Sequence, residues 1–151
     1  MRKELRMPVT VKKIALWRAE VDNRPGTMAG IFEPLAKAGA DLKVVMGYRI
    51  HASGGKQAIE VFPIAGKKLV AAAQAAGLSA SAIPTLLVEG DDKPGLGYAI
   101  AQAVAGAGIN FAFFIAQVIG RKYSVVMGFE TEEDARKAAP VIKKATAAKK
   151  R

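Results

Sequence analysis

Asp22-Asn23-Arg24-Pro25-Gly26 recurs as Asp91-Asp92-Lys93-Pro94-Gly95, 69 residues further along the chain. At that offset residues 17–42 align with 86–111 without a gap. The shared positions include Pro25/Pro94, Gly26/Gly95, Ile31/Ile100, Ala36/Ala105, Ala38/Ala107 and Gly39/Gly108, with Arg24/Lys93 and Asp41/Asn110 alike in kind. Self-similarity at a fixed spacing decides the organisation before any single element does. The 151 residues therefore read as two copies of a unit of about 70 residues, 9–83 and 84–145.

The same order of elements surrounds each copy of the motif. Residues 9–21 alternate in polarity as one strand, and Thr85–Val88 opens the second copy. Proline then fixes φ at a helix entry and glycine permits a tight turn. Met28, Ile31, Phe32 and Leu35 give the first helix one apolar face, with Pro34 expected to bend it. Leu96, Ile100, Ala103, Val104 and Ala107 do the same in the second copy. Hairpins follow, Leu42–Ile50 with Gln57–Phe62 and Phe111–Ile119 with Tyr123–Phe129. Second helices are expected over Lys67–Ala76 and Glu132–Ala145. Ser79–Ile83 closes the first copy, whereas 146–151 is too short and basic for a closing strand. The order β-α-β-β-α-β, twice, predicts an α+β protein of two tandem ferredoxin-like βαββαβ units. Each is an antiparallel sheet with its helices on one face, and the last strand of the second is weak or absent. Trp17 and Tyr98 read as packing residues and His51 as exposed in a glycine-rich turn.

Composition narrows the function. At 51% hydrophobic the chain can build a core, and without cysteine it has no disulfide, thiolate or cysteine-zinc chemistry. One histidine excludes any site needing two from one chain. Of the net +10, residues 1–13 hold +4 and residues 143–151 hold +5, so 14–142 are nearly neutral. Basic tails over 1–8 and 146–151, rather than a basic face, are the expectation. The charge-free run 94–120 is long enough to cross a bilayer, yet its glycines and Asn110 break it into a buried helix and a strand. No membrane partner is expected, and no targeting segment is evident, so a cytoplasmic address is the default. Gly95-Leu96-Gly97 fails as a dinucleotide fingerprint, because Ile100 stands where the third glycine belongs. No acid–base or nucleophile constellation emerges, so the chain is not read as an enzyme, and neither a metal nor a cofactor is expected.

The run strand–Asp-x-x-Pro-Gly–helix–Ala-Gly-(Ala/Ile)-(Asp/Asn)–strand resembles the ACT domain, a small regulatory module that binds amino acids. The resemblance spans about residues 12–145 in two copies and leaves no room for a catalytic domain. It implies a non-catalytic regulatory protein with an amino-acid ligand where two domains meet. The residues it implies are Asn23, Arg24, Pro25, Gly26, Thr27, Met28 and Asp41 in the first copy. In the second they are Asp92, Lys93, Pro94, Gly95, Leu96, Gly97 and Asn110. A helix start supplies free N–H groups and a positive dipole end suited to a carboxylate. Each copy pairs one amide with one carboxylate, Asn23 with Asp41 and Asp92 with Asn110. The added carboxylate attracts a ligand ammonium and repels its carboxylate. The alternative role of these residues is to cap a helix and close a turn. Exposed sheet edges favour a homodimer or higher homo-oligomer. The competing function is an assembly module whose basic tails contact nucleic acid or a protein partner.

Overall fold

The computed structural model describes residues 9–147. Of the tails expected over 1–8 and 146–151, residues 1–8 and 148–151 lie outside the described residues. The described chain forms two compact units, one made of residues 15–82 and the other of the N-terminal strand together with residues from 83 onward. Among the described residues no helix is long and apolar enough to cross a membrane.

The first unit contains β2 (Trp17–Asp22), α1 (Thr27–Lys37), β3 (Val44–Ile50), β4 (Lys56–Phe62), α2 (Lys67–Ala75) and the two-residue β5 (Ser79–Ala80). Its antiparallel sheet runs β3-β4-β2-β5. Alternation along the strands sends Ala19, Ile59 and Val61 to the helix side. There they meet Ile31 and Leu35 of α1, Ala73 of α2 and Leu78 in one core. Helix α1 continues through Pro34, whose missing N–H costs one helical bond.

The second unit contains β6 (Thr85–Asp91), α3 (Leu96–Gly106), β7 (Phe111–Ile119), β8 (Lys122–Phe129) and α4 (Glu132–Thr146). Its sheet runs β1-β6-β8-β7, and β1 is Thr10–Ile14. Two expectations are corrected here. The single strand over 9–21 is two strands in two different sheets, separated at Ala15 and the fully buried Leu16. The closing strand missing after α4 is supplied by β1, which pairs antiparallel with β6 from Thr10↔Glu89 to Ile14↔Thr85. Val11 reaches the core of Leu86, Val88, Ile100, Val104, Met127, Phe129 and Ile142. Lys13 reaches across to pair with Glu132 of α4. Both units thus carry the four-stranded, two-helix ferredoxin-like arrangement, the second with a strand borrowed from the chain's start.

Two further expectations change. Thr146 is the last residue of α4, is buried, and donates its hydroxyl to the Ile142 carbonyl at 2.8 Å, so it is no part of a tail. Tyr98 is 72% exposed on α3 rather than packed, while Trp17 does pack against its core.

Candidate functional site

Each strand-to-helix loop is latched to the hairpin turn of its own unit. In the first unit the Asn23 amide donates to the Gly55 carbonyl at 2.8 Å, and in the second the Asp92 amide donates to the Arg121 carbonyl at 2.8 Å. The two units share a second anchor. Asp22 pairs with Lys56 at 3.1 Å and Asp91 with Lys122 at 2.6 Å, each lysine lying directly across the ladder from its aspartate. The hydrogen bond from Lys56, then its charge, holds the Asp22 carboxyl below its ordinary 3.8. The opening aspartate of each motif is therefore an anchor for the loop. Lys56 and Lys122 were not visible as site residues in the sequence, because the hairpin turns differ in length and the gapless alignment ends before them.

Gly26 and Gly95 then precede the helices with φ of 90° and 87°, the left-handed region that a Cβ disfavours. Neither α1 nor α3 has a side-chain cap or an acidic residue in its first turn. Helix α2 is also uncapped, so the missing cap alone singles out nothing. Helix α4 shows the opposite solution: Thr131 accepts from the Asp134 amide at 3.0 Å, and Glu132, Glu133 and Asp134 fill the first turn. What sets α1 and α3 apart is the latched loop that aims at each helix start.

The two loops differ in what occupies them. In the first, the Thr27 hydroxyl lies 3.0 Å from both the Asp22 and Arg24 carbonyls, to which it donates. It also accepts from Gln57 Nε2 at 3.0 Å. Arg24 Nε lies 3.8 Å from Asp22. The Met28 methyl covers Gly47 so closely that a Cβ there would stand 2.3 Å from it. In the second loop Leu96 and Gly97 stand where Thr27 and Met28 stood, and Ala116 replaces Gly47. A Cβ on Gly97 would meet nothing within 4 Å. The first loop is thus internally bonded, with Met28 over Gly47, whereas in the second Gly97 brings no side chain to that place.

The expected residues therefore separate into groups. Asn23 to Met28 form one continuous loop and first helical turn, and Asp92 to Gly97 form the other. Asp41 is exposed and pairs with Lys43 at 3.0 Å. Among the described residues no hydrogen bond or ion pair joins Asp41 to the first loop or Asn110 to the second. His51 is exposed as expected, and no group of three metal-ligating side chains occurs among the described residues.

No protein-family model matches the chain. No curated protein matches it either. Solved structures do. Protein BT0572 from Bacteroides thetaiotaomicron superposes with a TM-score of 0.69 at 12% identity, covering 85% of this chain and 87% of that one. The regulatory subunit of aspartate kinase from Thermus thermophilus, in its ligand-free form, gives 0.62 at 18%, covering 94% and 99%. The aspartate kinase of Clostridium acetobutylicum, described as an allosteric enzyme, gives 0.57 at 13%, covering 92% of this chain and 34% of that one. These likenesses show the fold: two tandem ferredoxin-like units.

Proposed function

We propose that this chain is a non-catalytic regulatory module that binds a small molecule, with an amino acid as the ligand class. The observation that carries the reading is the duplicated, latched loop leading into an uncapped helix. The amides of the first helical turn and a cation of the loop, Arg24 or Lys93, suit a carboxylate. Asp92 and Asn110, or Asn23 and Asp41, carry side-chain oxygens that can accept from an ammonium. The second-unit loop is the stronger candidate, because Gly97, with nothing within 4 Å of its Cβ position, stands where the Met28 side chain covers Gly47 in the first. The regulatory role draws support from the aspartate kinase subunits that share the fold.

Thermal unfolding with each of the twenty amino acids at millimolar concentration tests this. A ligand at a hundred times its Kd adds about 2.7 kcal/mol, enough for a clear rise in Tm. Gly97→Met, which gives the second loop the side chain that covers Gly47 in the first, should abolish that rise and leave the unliganded Tm close to wild type. If none of the twenty shifts the Tm, an amino-acid ligand is ruled out. A shift that survives Gly97→Met moves the site away from the second loop.

A further inference from the structure

Strand β1 and helix α4 leave a cleft of about 220 Å³ between them, lined by no residue of either strand-to-helix loop. Its floor is apolar: Val11 of β1, Leu86 of β6, and Ala135 and Ala139 one turn apart on α4. Alanines at that spacing leave a trough that longer side chains would close. The rim is charged. Lys13 and Glu132 face each other as an ion pair, and Arg136 stands one turn further along α4. Among the described residues Arg136 makes no hydrogen bond or ion pair. The corresponding edge strand of the first unit, β5, offers two residues, both exposed, so the duplication does not carry the cleft with it.

We infer that this cleft binds a small aliphatic or aryl monocarboxylate, its apolar end on the floor and its carboxylate on Arg136. Three observations choose that chemistry. The guanidinium is unpaired, and its planar fork matches a carboxylate through two parallel hydrogen bonds. The start of α4 is already satisfied by the Thr131 cap and by Glu132, Glu133 and Asp134, so an anion is drawn to Arg136 rather than to the helix end. With Lys13 engaged by Glu132, the rim keeps the single charge of Arg136, which suits one negative charge and not a phosphate dianion. The same pair engages the carboxylate on the rim, against the ammonium of an amino acid. Volume sets the size. The cleft is smaller than a drug-sized pocket and takes about ten non-hydrogen atoms. Bound there, the ligand bridges β1 and α4 and clamps the strand that this sheet takes from the chain's start.

Titrating the full chain with hexanoate and with phenylacetate, followed by amide NMR, tests this. The Val11, Ala135 and Ala139 resonances should move and saturate in the millimolar range. Hexanamide, the same shape without the charge, should bind at least about tenfold more weakly. Arg136→Gln, at an exposed position, should weaken hexanoate by a similar factor, and Ala139→Leu, which fills the floor, should abolish its binding. Hydrogen exchange of the β1 amides should slow at saturation. Gly97→Met should change none of this, which separates the cleft from the amino-acid site proposed above. No saturable shift at these residues up to about 20 mM overturns the inference. So does equal binding of acid and amide, binding that Arg136→Gln leaves intact, or β1 exchange that stays the same at saturation.

Discussion

Gly128 and Gly47 both sit under a neighbouring side chain, and the neighbour decides what each can tolerate. A Cβ on Gly128 would stand 2.3 to 2.8 Å from three atoms of the Phe113 ring. A ring held in a sheet cannot move aside cheaply, so Gly128→Ala should cost about 1–3 kcal/mol in urea unfolding. Phe113→Ala should recover part of that loss in a double-mutant cycle. Gly47→Ala meets only the end of the flexible Met28 side chain and should cost less than about 1 kcal/mol. The registers Phe113↔Gly128 and Val44↔Phe62 occupy equivalent places, so the two units solve one packing problem with the large residue on opposite strands. Tyr48 is a different case. Its hydroxyl donates to the buried Glu60 at 2.5 Å, and Arg18 spans Glu60 and Glu20. Burial first, then the bond to Glu60, pushes the Tyr48 hydroxyl above its ordinary 10.0. A raised value means the fold favours the neutral phenol. That contribution is complete below pH 10 and is lost as pH climbs through the raised value. The fall in urea midpoint above about pH 10 should be smaller in Tyr48→Phe, with a residue left by Tyr123, which burial also raises.

At the scale of elements, β1 does the most for the least sequence. It covers the edge of β6 and lines, with Leu86, Glu132, Ala135, Arg136 and Ala139, a cleft of about 220 Å³ against α4. Lys12→Pro removes a strand amide and should speed hydrogen exchange across β6 while leaving β2 and β4 protected. The helices, hairpins and duplicated loops were legible because periodicity and turn residues are local signals, strongest from Thr27 to Lys37 and from Phe111 to Phe129. The break at Ala15-Leu16 was not. No glycine or proline marks it, and the only trace is a slip in phase, from Val9 and Val11 to Ile14 and Leu16 and back to Trp17, Ala19 and Val21. Which sheet a strand joins is a long-range matter that alternation does not encode. The candidate site was half legible for the same reason. Its loop residues are contiguous, whereas Lys56 and Lys122 reach it only through ladder register.

At the scale of the whole molecule, the first unit is an insertion within a hairpin of the second. Ile14 faces Thr85 directly, and the Ser81 amide donates to the Leu16 carbonyl at 2.7 Å, so the insertion leaves and returns at neighbouring points. Domains whose ends lie close together are the ones that tolerate insertion. Replacing residues 15–84 by Asn-Gly should therefore yield a folded single unit, with cooperative unfolding and dispersed amide resonances. A molten product would mean that the second unit depends on the first. The arrangement also sets an order in time. During synthesis β1 leaves the ribosome before its partner β6 exists, since the paired residues are about 70–80 positions apart. The first unit holds all its strands in one continuous segment and can close while the remainder is still being made. Strand β1 must wait, its apolar Val11 and Ile14 unsheltered, until β6 and α4 arrive. Its two lysines are then solubilising residues for a nascent chain as well as guards on a finished edge.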